Sequence, residues 1–297
     1  MPLMTSPMPM VPNPHLIVPS SIPSNYTDFA PNNQDDAPRL GSRRVPTGKI
    51  NQQARPGGPV TDWTDKTMWV AGVDGCRAGW IVVLVNGSDD VRLRLCRTFL
   101  EVLDLNDPCP DVIAIDIPIG LLETPCRGGR ICDQQARREL GVTRGSSVFT
   151  PPLRGFLTAR SFSDVSGMSI QAFEILKKVA EVDGLITPAL QKRIHEAHPE
   201  LAFRRLAGHA MRLNKKGTQG RRERERALLE GGIGFDLNRE GLRGRLRHFS
   251  AQAVSADDLL DAYALASTAL KIATGEAICL PADPPLDRKG LRMEIWY

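Results

Sequence analysis

Ser255-Ala-Asp-Asp-Leu-Leu-Asp-Ala-Tyr-Ala-Leu-Ala-Ser-Thr-Ala-Leu-Lys271 is the stretch whose reading decides the fold. Leu259, Tyr263, Ala266 and Leu270 recur at helical spacing, which predicts a helix with an apolar face laid on a sheet. Asp258 and Asp261, three residues apart, then share one face about a turn from each other, an arrangement a divalent metal can use. Capping offers a plainer account of part of this. Ser255 reads as an N-cap with Asp258 at the third helical position, and acids in a first turn favour the helix dipole. Asp261 fits capping poorly, because it lies past the first turn among Ala, Leu and Tyr, where a buried carboxylate needs a cation or hydrogen-bonding partner.

Working outward, the order of elements predicts where that helix lies. Trp69-Val-Ala-Gly-Val-Asp74 reads as a buried strand ending in a tight turn through Gly75 to Gly79, followed by a second strand from Trp80 to Val85. Turn residues Asn86 to Asp90 lead into a third strand, where Val91, Leu93 and Leu95 alternate with Arg92, Arg94 and Cys96. The three form an antiparallel meander. A short helix capped by Thr98 precedes a buried strand, Asp111 to Asp116, stopped by Pro118. That connection predicts a right-handed crossover and a parallel pairing with the first strand. Asp74 and Asp116 would then close neighbouring strands at the carboxyl edge, where ligands of open α/β sheets gather.

Further along, Asp133 to Leu140 reads as helical, and Gly145 to Arg154 as an ordered loop over the sheet end. Ser169 to Val182 is expected to be one helix with Ile170, Phe173, Leu176 and Lys177 along one side. Arg193 to His198 reads as a strand ended by Pro199, and Leu201 to Leu206 as a helix. Arg221 to Arg226, alternating with Glu223 and Glu225, reads as a solvated helix face, and 277–280 and 291–296 as two closing strands.

Residues 1–67 are crowded with Pro, Asn, Ser and Met and show no periodicity, so they read as a disordered leader ahead of a folded domain at 68–297. His15-Leu-Ile-Val18 is too short for the core of a signal peptide and is bracketed by Pro14 and Pro19. Met68, directly before the first strand, suggests that the functional polypeptide starts there. No apolar run approaches a membrane span. Six scattered cysteines without a CxxC pair argue against a zinc site and for reduced thiols, hence a cytoplasmic protein. The net charge of +4 is uneven: thirteen basic residues against five acids lie between Arg204 and Arg247, leaving the remainder net acidic. An anionic partner on one side and a cation site on the other are compatible with that split. Monomer and homodimer both stay open.

Asp74, Asp116, Asp258 and Asp261 thus converge. Two carboxylates about 5 Å apart repel by roughly 3 kcal/mol at an effective dielectric near 20, so four together call for cations. Oxygen-only ligands favour Mg²⁺ or Mn²⁺, and a pair of such ions supports hydrolysis of a phosphodiester.

The arrangement resembles the RNase H-like fold, an α/β architecture with a mixed sheet flanked by helices, and in its late helix the RuvC-like resolvases. More closely, Val73-Asp-Gly-Cys-Arg-Ala-Gly-Trp80, Asp116-Ile-Pro-Ile-Gly-Leu121, Cys132-Asp with Ala136-Arg, Ser146-Ser-Val-Phe149, Glu196-Ala-His-Pro-Glu200, Lys215-Lys-Gly-Thr218 and Asp258-Leu-Leu-Asp-Ala262 resemble the domain of unknown function 429 family, whose members are predicted RNase H-like nucleases. The resemblance covers Met68 to Tyr297. It implies that Asp74, Asp116, Asp258 and Asp261 ligate a pair of Mg²⁺ or Mn²⁺ ions, with Glu196 or Glu200 as a fifth carboxylate acting as ligand or general base. Glu200 is equally readable as a first-turn helix acid. His195 and His198 read as packed strand histidines before they read as proton relays. Arg144, Ser146, Ser147, Arg154, Lys215 and Lys216 become candidates for contacts to DNA or RNA phosphates. Phe149 and Phe156 lie in the loop suited to base stacking. Two rivals keep the fold: an ATP-binding phosphotransferase related to sugar kinases, opposed by the lack of a second Gly-rich phosphate loop, and a non-catalytic nucleic-acid-binding scaffold.

Overall fold

Alternating apolar residues in the first ninety described positions build one side of the molecule. The computed structural model describes residues 68–87, 90–165, 168–233 and 235–297, and the expected leader lies outside them. β1 (Trp69–Cys76) and β2 (Gly79–Asn86) form a hairpin closed at the pair Cys76 and Gly79, and β3 (Asp90–Cys96) extends the meander antiparallel to β2. α1 (Phe99–Leu103), capped by Thr98, crosses to β4 (Val112–Ile115), which pairs parallel to β1 with Val73 opposite Ile115.

α2 (Ile131–Arg144), α3 (Ile170–Glu174) and α4 (Leu176–Leu185) follow. β5 (Ile194–Glu196) joins β4 in parallel, giving the strand order β3-β2-β1-β4-β5. The fold class is therefore α/β, a mixed five-stranded sheet flanked by helices and consistent with an RNase H-like arrangement. α5 (Pro199–Ala207), α6 (Thr218–Glu230), α7 (Phe235–Leu246) and α8 (Ala256–Thr274) come next. The closing strands β6 (Cys279–Leu280) and β7 (Ile295–Trp296) are shorter than expected and pair in a small sheet of their own, tied to the main one by a bridge from Ala197 to Trp296.

Strand alternation sorts the core into two layers. Val70, Ile81, Val83, Val85 and Ala114 face α8, while Ala71, Val73, Val82, Leu84, Ile113, Ile115 and Ile194 face α1 and α4. α8 starts at the capping box of Ser255 with Asp258 and stops at Gly275 in the left-handed conformation. It is more enclosed than a one-faced amphipathic helix: every residue from Leu259 to Ala269 is buried. Its contact with β1 is unusually close at Gly72, where a Cβ would stand 2.0 Å from the Ala262 carbonyl oxygen and 2.1 Å from the Ala266 nitrogen. Only glycine fits there.

Two expectations need correction, and one element was not expected. The helix expected from Ser169 to Val182 is two helices broken at Ile175 (φ −95°, ψ 0°), which resets the buried face to Leu176, Val179 and Val182 and leaves Ile170 and Lys177 exposed. The Arg/Glu run in α6 is not wholly solvated, because Arg224 is 1% exposed. α7, with the Asp236 carboxylate receiving the Tyr263 hydroxyl of α8, was not anticipated by any periodicity. Among the described residues no helix is long and apolar enough to cross a membrane, and all six cysteines are free thiols.

Candidate active site

Asp74 lies two residues beyond Gly72 on β1, hence on the side that faces α8. Asp116 directly follows β4, and its amide donates to the Val73 carbonyl (3.1 Å), which sets it beside Asp74 at the adjoining strand tip. Asp261 comes from the second turn of α8, next to Ala262, where that helix touches Gly72. The three aspartates are therefore brought together by one parallel pairing and one close helix contact.

Their electrostatics record the meeting. Burial raises the pKa of Asp74 well above the usual carboxylate range, and Asp261, Asp116 and then Asp258 raise it further while Lys215 opposes them. Asp116 is also raised by burial, against the pull of His198 and Lys215. Asp261 is pushed up to about 6 by burial, with Lys215 restraining the shift. Lys215 Nζ stands 2.7 Å from Asp261 Oδ2. Burial works against its charge, yet Asp261, Asp74 and Asp116 outweigh burial and raise its pKa.

Asp258 stands at the rim. Its Oδ2 accepts from the Ser255 amide (2.9 Å) and its own amide donates to Ser255 Oγ (3.2 Å), so it caps α8 while adding its charge to the cluster. Glu200 follows Pro199 in the first turn of α5. One of its oxygens takes a hydrogen bond from Arg224, whereas the buried Oε2 has no hydrogen-bond partner among the described residues, and its charge acts on Asp116. Glu200 is thus a first-turn acid of α5 at the edge of the cluster.

Glu196 is placed differently. It pairs with Ile115 across β4 and β5, on the side of the sheet away from α8, and Arg130 grips it through Nη2 to Oε1 (2.6 Å) and Nη1 to Oε2 (2.7 Å). The Ile119 amide also donates to it (2.6 Å). Strand alternation separates Glu196 from the three aspartates.

The expected phosphate ligands divide as well. Arg154 is held by Glu123 (3.0 Å), Asp183 and Asp287. Arg144 donates to the carbonyls of Met211 (2.7 Å) and Leu213, and Arg224 adds bonds to the carbonyls of Leu213 (3.3 Å) and Gly220 (3.2 Å). Both arginines fasten the loop that presents Lys215. Gly220 allows α6 to close on that loop, since a Cβ there would meet the Asn214 carbonyl oxygen at 2.0 Å. Lys216, Ser146 and Ser147 are exposed or half-buried at the surface, with Ser147 Oγ donating to the Arg144 carbonyl (2.7 Å). His198 caps α5 through the Glu200 amide (3.2 Å) and is set toward the Ser147 carbonyl (3.4 Å). His195 packs edge-on against Trp296.

One cation at the site was missed. Lys178 of α4 donates to the Gly79 carbonyl (2.5 Å) and sits 4.4 Å from the Trp80 ring centroid. Burial lowers its pKa, opposed by Cys76, Glu181, Asp74 and Asp258. The break at Ile175 turns Lys178 inward in place of Lys177, and no periodicity spanning both helices could reveal it.

Among the described residues no group of three or more His, Cys, Asp or Glu side chains stands in a metal-ligating arrangement. The donor chemistry fits a hard divalent cation nonetheless: the acids are oxygen-only and buried or half-buried, Asp74 is repelled by its neighbours, and the counter-charge hydrogen-bonded within the group is the Lys215 ammonium, on Asp261.

The model of the DUF429 family, proteins of unknown function, matches residues 72–286, and the chain belongs to that family. No curated protein and no solved structure matches it.

Proposed function

We propose that the chain is a divalent-metal-dependent phosphodiesterase acting on nucleic acid, with Asp74, Asp116 and Asp261 as the ligands of Mg²⁺ or Mn²⁺ and Asp258 at their rim. The observation that carries this reading is the meeting of three aspartates, Asp74 and Asp261 buried and Asp116 half-buried, at the tips of β1 and β4 and the flank of α8, where burial raises all three pKa values and neighbouring aspartates raise those of Asp74 and Asp261 further. Bound metal supplies charge neutralisation at the phosphate and a more acidic water.

The chain's own residues divide the remaining work. Lys215 places positive charge at the mouth of the cluster, where it can meet a phosphate oxygen, and the carbonyl contacts of Arg144 and Arg224 keep its loop in place. Lys178 is held over Trp80 on the other flank and adds a second positive group. Glu200 is the candidate to receive a proton at Oε2, which takes no hydrogen bond among the described residues: Arg224 bonds the other oxygen, and Arg144 Nε stands 4.0 Å from this one as an ion-pair partner.

Incubation with single-stranded and structured DNA and RNA should show Mn²⁺-dependent cleavage that disappears in Asp74→Asn and Asp261→Asn while circular dichroism stays native. Cleavage that persists in excess EDTA overturns the reading. Thermal stabilisation by ATP without any cleavage would instead favour a phosphotransferase on the same sheet.

A further inference from the structure

A cavity of about 720 Å³ opens beside the acidic cluster, between the loop that follows β4 and the loop that follows α2. Its volume lies within the span of about 300–1000 Å³ common to small-molecule sites. A narrow cleft of about 20 Å³ is lined by Asp116, His198, Glu196 and Asp133 and shares Arg130, Val148, Phe149 and Pro151 with the larger cavity. The two spaces therefore meet along a common wall, and Phe149 belongs to both.

The lining has a definite chemistry. Two arginines and no Asp or Glu face the cavity among the described residues, beside a cluster made of aspartates. Arg130 is neutralised by Glu196 and Asp133. Arg137 is not: its partners are the carbonyls of Val148 (2.7 Å) and Gly128 (2.5 Å) and the Thr150 hydroxyl (3.1 Å), and it enters no ion pair among the described residues. Phe149 and Phe156 are half-buried, and neither takes part in a ring pair or cation–π contact among the described residues. The cavity thus offers aromatic faces and an uncompensated positive charge a short way from the site of hydrolysis.

We propose that this cavity is a nucleotide subsite of the active centre, which takes one unstacked unit of a single strand with its base against Phe149 and Phe156 and its phosphate toward Arg137. The inference rests on the phosphodiesterase reading above and specifies its substrate as single-stranded or locally unpaired nucleic acid. A base inside a duplex cannot enter a walled cavity without leaving its stack, and an aromatic face accepts any base once it has done so.

Binding tests it without turnover. The full chain is titrated in EDTA against end-labelled trinucleotides that carry 2-aminopurine at the centre or an abasic centre, in deoxy and ribo forms, by anisotropy and base fluorescence. The base-bearing probe of at least one sugar type should bind about tenfold more tightly than its abasic counterpart, with a change in 2-aminopurine emission. Phe149→Leu and Phe156→Leu, which keep an apolar side chain in the loop, should each weaken that probe several-fold and leave the abasic one unchanged. Equal binding of base-bearing and abasic probes by the unaltered chain, or no binding of either, overturns the subsite whatever the variants do. With Mn²⁺ added, cleavage of abasic and normal strands at equal rates also overturns it and leaves the phosphodiesterase reading intact. Base-dependent binding without cleavage supports the subsite and removes the reaction.

Discussion

At the tip of β5, Glu196 and Asp133 enclose Arg130, which spends its N–H groups on both carboxylates and on the carbonyls of Ile119 and Gly120. At the tips of β1 and β4, Asp74, Asp116 and Asp261 share the ammonium of Lys215, whose side chain is 42% exposed. Both groups are buried, acidic and at the same edge of one sheet. They differ in how far their charge is answered from within the fold. In the first, geometry is bidentate and the guanidinium is held charged: burial works against it, but Asp133, Cys132 and Glu196 raise its pKa. Such a group locks loops together and has little capacity left for a ligand. In the second, three carboxylates meet one ammonium that is hydrogen-bonded to Asp261 alone among the described residues, whereas the guanidinium bonds both acids of the first, and the residual repulsion is a cost that a bound cation would relieve. Burial raises Glu196 to about 7 as it raises Asp261 to about 6, so burial of acids does not by itself distinguish the two groups; the share of the carboxylates that a cation hydrogen-bonds does.

The comparison can be broken most forcefully at Arg130. Arg130→Met strands two buried carboxylates and should destabilise the fold by about 3–5 kcal/mol, read as a lowered urea midpoint with an unchanged slope. Gly72→Ala comes next. Its methyl group would meet the backbone of α8, so a loss of about 1–3 kcal/mol is expected, and wild-type stability in that variant would show that helix and sheet can part freely. Lys215→Ala should cost about 1 kcal/mol, since solvent already screens part of the pair with Asp261. Calorimetry at neutral pH checks that value.

Asp74→Asn has the smallest expected effect and the opposite sign. A folded-state pKa above the unfolded one means that the native protein binds the proton more tightly, so this group favours folding in acid and loses that contribution as pH rises from about 4 through the raised value. The variant should therefore match wild type near pH 4 and be more stable by up to about 1 kcal/mol at pH 8. A pH series of melting temperatures tests it, and a gap that shrinks with rising pH would contradict the assignment of Asp74 to an unanswered cluster.

Much of this was legible before any coordinates. Period-two alternation and the Asp-Gly turn located β1 to β3, and the crossover rule placed Asp74 beside Asp116. Asp258 has the capping geometry foreseen for it, and its charge also acts on Asp74. Alternation from Ile194 also puts Glu196 on the opposite side of the sheet from Asp74, a signal that the family resemblance does not carry. Other outcomes lie beyond local pattern. Arg154 and Arg144 are long side chains whose partners come from distant loops, so nothing near them in the chain marks them as fastenings. The buried Arg224 hides in a charged run for the same reason, and a one-residue break at Ile175 exchanges Lys177 for Lys178.

Main-chain atoms of α8 and β1 meet at Gly72 with no side chain between them. The distance separating Asp74 from Asp261 is consequently dictated by peptide groups, which cannot be trimmed or enlarged by substitution. Exchanges among the surrounding Leu, Val and Ile residues can therefore alter how firmly the protein holds together while the spacing of its acids stays the same. A lineage carrying this chain could revise its interior repeatedly and still keep these two acids at one separation.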